Sequence, residues 1–144
     1  MSDLLLLCTI AGQRAALPAL RVKSVIEIAE ITPIPGTPGF VAGLTALRSQ
    51  ALTVIDCAQA IGLPSRAKDQ DQRAAVIESD GHLYALMLDE AEDVGAARSA
   101  PIAVPGGFGA QWRRVAIGLV ETDGEPALLI DVETLLSGPN AIAA

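Results

Sequence analysis

The amino-acid sequence predicts an all-β fold with short helices, arranged as a barrel or a sandwich. Two observations predict it: short apolar runs recur with turn-forming residues between them, and helical periodicity is scarce. Short strands at regular spacing are typical of barrels and sandwiches. The chain of 144 residues is long enough for one domain with its own core. We place this domain at residues 1–138, followed by a loose C-terminal tail at 139–144.

Tight turns predict three hairpins. The predicted strand pairs are 4–10 with 14–17, 74–78 with 83–88, and 115–120 with 127–130. The second and third turns contain Asp80-Gly81 and Asp123-Gly124. Asp-Gly is among the strongest hairpin signals, because both central residues of a type I′ turn need a positive φ. We therefore expect Gly81 and Gly124 to adopt φ > 0.

A proline-rich segment leads into a fourth strand pair. Three prolines make residues 32–39 neither helix nor central strand, since they fix φ and lack amide donors. The runs 41–47 and 51–55 predict paired strands, and residues 48–50, Arg-Ser-Gln, predict the turn between them. The guanidinium of Arg48 should then lie near a strand end.

Two aspartates are placed to begin short helices. Asp56 precedes a predicted helix at 57–61 that Gly62 ends. Asp131 precedes a predicted helix that continues through Leu136 and stops before Gly138-Pro139. The polar stretch 64–72 predicts an exposed loop, and the proline- and glycine-containing stretch 99–109 predicts an irregular connection.

Composition limits the kind of partner. The chain is 51% hydrophobic but only 3% aromatic, so its core must be aliphatic. The net charge of −7 is unevenly distributed, because residues 1–68 carry six basic and four acidic residues and residues 69–144 carry four and thirteen. Nucleic-acid binding needs a basic patch, so an acidic C-terminal half argues against it.

No segment predicts secretion or membrane insertion. The run 4–7 before Cys8 is too short for a signal sequence and follows Asp3 rather than a basic residue. No stretch reaches the roughly 18–20 apolar residues of a membrane span. Cys8 and Cys57 lie in apolar surroundings without CxxC spacing, so we expect two buried thiols in a reducing cytoplasm.

No catalytic residues, metal ligands or cofactor-binding residues are predicted. The only histidine, His82, falls at a predicted hairpin turn, and no cluster has metal-ligand spacing. The acidic residues at 89, 90, 92 and 93 predict a solvated strand edge or a complement to a basic partner. A receiver domain with Asp56 as phosphoacceptor is rejected, because its other acidic pair and its lysine are missing. We therefore expect no enzyme.

Residues 31–62 resemble the signature of CheW-like domains, the adaptors of bacterial chemotaxis. Nine residues match that pattern in register over 28 positions: Pro35, Pro38, Phe40, Gly43, Leu47, Arg48, Val54, Asp56 and Gly62. Residues 22–28 are similar to the strand that follows the family's first hairpin, and residues 75–94 and 117–136 are similar to its later segments. The resemblance covers residues 3–136 in family order.

The resemblance implies both an architecture and a function. The implied fold is two small five-stranded SH3-like β-barrels that share an aliphatic core. The implied function is a cytoplasmic adaptor at receptor arrays, which couples the chemoreceptor tip to the regulatory domain of the histidine kinase CheA. Arg48 matches an arginine implicated in receptor coupling, Val22 and Val25 match positions that line the receptor groove, and Leu47 and Leu88 are neighbours. The purely structural alternatives are core packing for the aliphatic residues and an ion pair of Arg48 with Glu27 or Glu30.

Departures from the family pattern concern the partner surface. Ser49 stands where glycine is usual, Ala46 where asparagine is common, and Ser24 where an acidic residue is frequent. Two other functions stay open: an adaptor of a non-flagellar chemosensory system that controls pili or gene expression, and a small-molecule-binding β-barrel.

Overall fold

The computed structural model describes residues 4–64 and 72–139, which form ten strands and three short α-helices. The strands are β1 (Leu4–Ile10), β2 (Gln13–Pro18), β3 (Val22–Ile28), β4 (Val41–Leu47), β5 (Gln50–Asp56), β6 (Gln72–Ser79), β7 (His82–Leu88), β8 (Glu90–Ala96), β9 (Ala116–Val120) and β10 (Ala127–Ile130). The helices are α1 (Cys57–Ile61), α2 (Ala110–Val115) and α3 (Val132–Ser137). The all-β prediction is confirmed.

The strands form two five-stranded sheets that repeat one design. The first sheet has the order β8-β1-β2-β10-β9 and the second β3-β6-β7-β5-β4. In each sheet, one strand of a central antiparallel hairpin pairs with an edge strand. The other strand of that hairpin pairs in parallel with one strand of a second hairpin. The N-terminal hairpin β1–β2 thus completes the sheet that the C-terminal strands build. Among the described residues each hydrogen-bonded ladder ends at two edge strands, so the two SH3-like units are curled but open.

One aliphatic cluster joins the two sheets. It contains Ile10 and Leu17 from the first sheet, Ile77 and Leu86 from the second, and Leu135 from α3, all with at most 1% of their surface exposed. Two smaller clusters fill the other face of each sheet. Strand alternation explains this division, because successive side chains point to opposite faces. The predicted aliphatic core is therefore shared between the two units.

Both predicted helix starts are confirmed. The Asp56 side chain accepts a hydrogen bond from the Gln59 amide at 3.2 Å, and Asp131 accepts one from the Thr134 amide at 3.3 Å. Gly62 ends α1 in the left-handed region at φ 106°. Each cap satisfies an amide that a helix N-terminus leaves unpaired.

One element, helix α2, was not predicted from the sequence. Helix α2 follows Gly109, which provides no side-chain cap, and Arg114 ties it to α1 by donating to the Ala60 carbonyl at 2.8 Å. Strand β8 carries the acidic residues between 90 and 93 at the edge of the first sheet, which confirms the strand edge predicted for this acidic stretch. The predicted loop 64–72 and tail 139–144 fall almost entirely outside the described residues, apart from their junctions at 64, 72 and 139.

The expectation for the hairpin glycines is right for one and wrong for the other. Asp80 and Gly81 have φ 51° and 79°, which places both in the left-handed region. Gly124 is not among the residues of positive φ. The Thr122 side chain stabilises that turn instead, because its hydroxyl donates to the Glu125 carbonyl at 2.8 Å and accepts from the Gly124 amide at 3.1 Å. A hydroxyl-centred turn of this kind does not need the type I′ backbone.

Valine at position 81 is expected to destabilise the protein, whereas valine at position 124 is not. A β-branched side chain at φ 79° is strained, at a cost of about 1–3 kcal/mol, although nothing lies within 4 Å of the added Cβ. At position 124 the nearest atom is the flexible end of Arg14, 3.3 Å away, so we expect a change within about 0.5 kcal/mol, as for ordinary surface sites. Urea denaturation of both variants measures the difference, and equal losses would contradict the assigned turn geometries.

Candidate partner-binding site

The second sheet curls so that strands from both of its edges border one open groove of about 310 Å³, here called the Arg48 groove. Its aliphatic lining comes from three strands and its polar rim from the strand ends. It is lined by Lys23, Ser24, Leu47, Arg48, Gln50, Val76, Glu78, Gly81 and Leu83. Because Ser24 is paired with Val76 across the β3–β6 ladder, both side chains lie on the same face of the sheet.

Arg48 occupies the tip of the hairpin β4–β5. Leu47 pairs with Gln50, so the turn has only Arg48 and Ser49 between the strands, and Gln50 belongs to β5 rather than to the turn. Both turn residues have positive φ, 51° and 72°, as a type I′ turn requires. This backbone projects an exposed arginine from the end of the strand pair.

The Arg48 guanidinium makes no ion pair in the part of the chain that the structure describes. Of the two glutamates considered as partners, Glu27 contacts Arg73 instead, at 3.4 Å. Inside the groove, Lys23 is neutralised by Glu78 at 3.1 Å. The groove therefore carries one uncompensated positive charge, at Arg48.

The structure separates the residues that the sequence grouped into one receptor groove. Leu47 lies beside Arg48 and packs against the small cluster of the second sheet. Val25 is paired with Ala75, on the opposite face from Ser24, and is 38% exposed. Val22 packs against the shared core, in which Leu88 is buried with 4% of its surface exposed. Arg48 and Leu47 form one surface, whereas Val22, Val25 and Leu88 share the opposite face of the second sheet, where Val25 is exposed and Leu88 is buried in the core.

Sequence analysis placed Ser24 at the partner surface but missed the other residues that complete the groove. Lys23, Val76, Glu78 and Leu83 come from strands whose curvature brings them to Arg48. Only the strand register places them there, so no local motif identifies them. The alternation of β3 did carry a signal, because Ser24 and Val25 must point to opposite faces.

Two motif residues belong to a second, larger groove. Pro38 and Phe40 help to line a groove of about 600 Å³ beside α1 and the end of α3. Phe40 also packs against the shared core and lies so close to Gly138 that a Cβ there would be 2.8 Å from its Cζ. The Phe40 carbonyl accepts from the Asp56 amide at 2.8 Å. This part of the motif holds the proline-rich segment against the domain.

The described residues contain no reactive cysteine and no group of metal ligands. Burial raises the pKa of Cys8 to about 12 and that of Cys57 well above its ordinary value, so both thiols stay protonated near neutral pH. The predicted burial of both is confirmed, with 0% and 1% exposure. No group of three or more His, Cys, Asp or Glu side chains within residues 4–64 and 72–139 could hold a metal ion. Within the same ranges, no helix is long and apolar enough to cross a membrane.

The fold and the exposed groove define a small all-β interaction domain made of two packed SH3-like units. The chain belongs to the CheW-like domain family, whose sequence model matches residues 4–140. Members of that family are scaffold and adaptor domains of chemotaxis signalling.

A solved structure has the same fold. The scaffolding protein TtCheW from Thermoanaerobacter tengcongensis superposes with a TM-score of 0.81, and the match covers 99% of each chain at 24% sequence identity. At this identity the likeness shows the architecture alone. No curated protein sequence matches the chain.

Proposed function

We propose that this protein is a chemotaxis adaptor that couples chemoreceptors to the histidine kinase CheA and acts in the cytoplasm at receptor arrays. The observation that carries the proposal is the family match over residues 4–140, which spans both SH3-like units. A non-enzymatic adaptor works by binding two partners at once. An adaptor of a non-flagellar chemosensory system would use the same design with other receptors and another kinase.

The architecture supports such a bridging role physically. The two units share one aliphatic cluster, so surfaces on different units are held in a fixed relation by the core between them. Densely packed interiors deform little, and partners bound to the two units would therefore be held at a defined distance and orientation. The Arg48 groove on the second unit is proposed as part of the receptor-binding surface.

A small-molecule-binding barrel is less well supported. Ligand pockets bury most of their ligand and hold 300–1,000 Å³ or so. The Arg48 groove and the groove beside Phe40 hold about 310 and 600 Å³ but are open to solvent, and the space beside Ile10 and Met87 measures about 20 Å³. A space of that size accommodates about one water molecule.

The direct test is binding of the purified full-length chain to two probes: a chemoreceptor cytoplasmic fragment and the regulatory domain of CheA. We expect the chain to bind each probe separately and to bring both into one complex by size-exclusion chromatography. In a second assay with the intact receptor and intact CheA in place of these fragments, kinase activity should respond to receptor ligand only when the chain is present. Binding to neither probe would contradict the proposal.

The chain is expected to accept no phosphoryl group from phosphorylated CheA. Asp56, the aspartate that most resembles a phosphoacceptor in the sequence, is only 7% exposed and caps α1. A buried capping carboxylate cannot approach a phosphohistidine without the helix start opening. Incubation with radiolabelled phospho-CheA should leave the chain unlabelled while a receiver domain in the same tube becomes labelled. If label appeared on the chain and vanished in Asp56→Asn, the prediction would be wrong.

A further inference from the structure

We propose that the hairpin β1–β2 is exchanged between two copies of this chain, which then form a hairpin-swapped dimer. In that dimer the first sheet of each copy contains the hairpin of the other copy. The partner that this interaction surface fits is therefore a second copy of the same protein. The inference concerns assembly and does not rest on the proposed function.

The hairpin forms the centre of the first sheet, but it is remote in sequence from the other strands of that sheet. β1 pairs with β8, and β2 pairs in parallel with β10 through Ala15 and Ala16. The whole second unit lies between the hairpin and these strands in the chain. In the described part of the chain, β8 and the pair β9–β10 share no ladder of their own. The first sheet therefore has a central gap that a hairpin must fill.

The two units connect the equivalent hairpin differently. In the second unit the chain order is β3, β4, β5, α1, β6 and β7, with the hairpin β6–β7 at its end. The first unit repeats these pairings with β8, β9, β10 and α3, but its hairpin β1–β2 precedes the second unit. The hairpin thus enters the first sheet without a direct link to the strands beside it. A hairpin from another copy makes the same ladders and brings the same side chains, Ile10 and Leu17, to the shared core.

A short exposed connection joins the hairpin to the second unit. It is the 3₁₀ turn Ala19–Arg21, here called the hinge, which follows Pro18 and leads directly into β3. None of the three hinge residues is buried. Extending the hinge breaks the ion pair between Arg21 and Glu133, which is partly exposed and so contributes little to stability. Short hinges favour exchange, because they limit how easily the hairpin folds back onto its own chain.

Exchange keeps the contacts of the hairpin and adds a contact at the hinge. In a two-fold dimer the two extended hinges run side by side, because each crosses from one copy to the other. Leu20, which is fully exposed in the monomer, would then be covered by the partner's Leu20. Dimer formation should increase with protein concentration, and it should need partial unfolding, since the hairpin must first leave its sheet. A swapped dimer would present every surface of the units twice and bind partners in pairs.

Paired cysteines measure the exchange directly. Leu4→Cys with Ala96→Cys links β1 to β8, and Glu27→Cys with Arg73→Cys links β3 to β6, the equivalent strands of the second unit. Residues directly opposite each other in antiparallel strands have Cα atoms roughly 4.5–5.5 Å apart, which suits a disulfide. Both native cysteines are buried and should stay reduced.

Both double variants are refolded from urea at micromolar and at millimolar concentration, oxidised, and separated by size-exclusion chromatography. We expect the dimer fraction to be at least about fivefold larger at the higher concentration. On a non-reducing denaturing gel, the dimer with cysteines at 4 and 96 should remain a covalent dimer, whereas the dimer with cysteines at 27 and 73 should separate into monomers. Absence of a dimer overturns the inference. A dimer of the first variant that separates into monomers also overturns it, because the copies would then be associated without exchange.

The hinge provides an independent arm. Leu20→Asp should leave the melting temperature of the monomer unchanged but lower the dimer fraction at least about threefold, because two carboxylates would face each other. Ile102→Asp is the matched control, since Ile102 is an exposed aliphatic residue outside the hinge, and it should leave the dimer fraction unchanged. Equal dimer fractions in these two variants would contradict an exchange through the hinge. Binding of the receptor fragment and of the CheA regulatory domain is measured on the monomer, so the proposed function and this inference can fail separately.

Discussion

Alanine at position 43 is expected to cost about 3 kcal/mol or more of folding free energy, among the largest losses for a change this small. A Cβ at Gly43 would overlap the Thr32 carbonyl oxygen and lie 2.8 Å from the Thr32 carbonyl carbon. Its φ of 148° is a conformation that side chains rarely adopt. Two hydrogen bonds of 2.8 and 2.9 Å between Thr32 and Leu44 hold the backbone of the proline-rich segment against β4, so neither side can move freely.

Two other glycines distinguish the two causes of this loss, the positive φ and the close approach of the Thr32 backbone. Gly36 has a positive φ of 81° but nothing within 4 Å of its added Cβ, so alanine there should cost about 1 kcal/mol. Gly106 has neither feature, and its alanine variant should be nearly unchanged. Chemical denaturation of the three variants measures the series. If Gly43→Ala lowered the free energy of unfolding no more than Gly36→Ala, the close approach of the Thr32 backbone would not explain why position 43 requires glycine.

The same reasoning applies to the first sheet. Gly118 on β9 corresponds to Gly43 on β4, and a Cβ there would lie 2.6 Å from the Ile102 carbonyl oxygen. Ile102 bridges to Leu119 as Thr32 bridges to Leu44. In each unit, therefore, a bridging segment passes over a glycine of an edge strand.

Local signals in the sequence predicted most of the fold. The hairpins and the capped helices depend on neighbouring residues, such as Asp80-Gly81 and Asp56 with Gly62, whose chemistry acts within a few positions. Helix α2 escaped prediction because six residues without a side-chain cap provide little periodicity. Strand β8 was predicted only as a solvated strand edge, because its pairing with β1 depends on the assembled sheet.

Only the part of the candidate site formed by residues adjacent in the chain could be predicted from the sequence. Arg48 and Leu47 are neighbours in the chain, and their place at a strand end followed from the two apolar runs around them. The rest of the groove depends on how far the second sheet curls and on the β3–β6 register. The family resemblance grouped Val22, Val25 and Leu88 with Arg48. The β3–β6 register, with its bulge between Val22 and Ser24, puts Val22 and Val25 on the opposite face of the sheet from the Arg48 groove, and Leu88 is buried.

Alanine in place of Arg48 is expected to reduce receptor-coupled kinase control about tenfold or more while leaving the melting curve nearly unchanged. The guanidinium makes no ion pair or hydrogen bond within the described residues, so its removal costs the folded state little. Arginine and alanine meet the same backbone strain at φ 51°, so the turn itself is unaffected. Exposed arginines at the centre of an interface, in contrast, often provide a large share of the binding energy.

The measurement is CheA activity in reconstituted receptor–adaptor–kinase complexes, taken together with a thermal melt of each adaptor variant. Arg113→Ala removes another exposed arginine, on α2, that makes no ion pair within residues 4–64 and 72–139. It should retain full coupling, which would exclude a general effect of net charge. Full coupling by Arg48→Ala would remove this residue from the receptor-binding surface. A loss of stability that matched the loss of coupling would assign Arg48 to the fold instead of the receptor-binding surface.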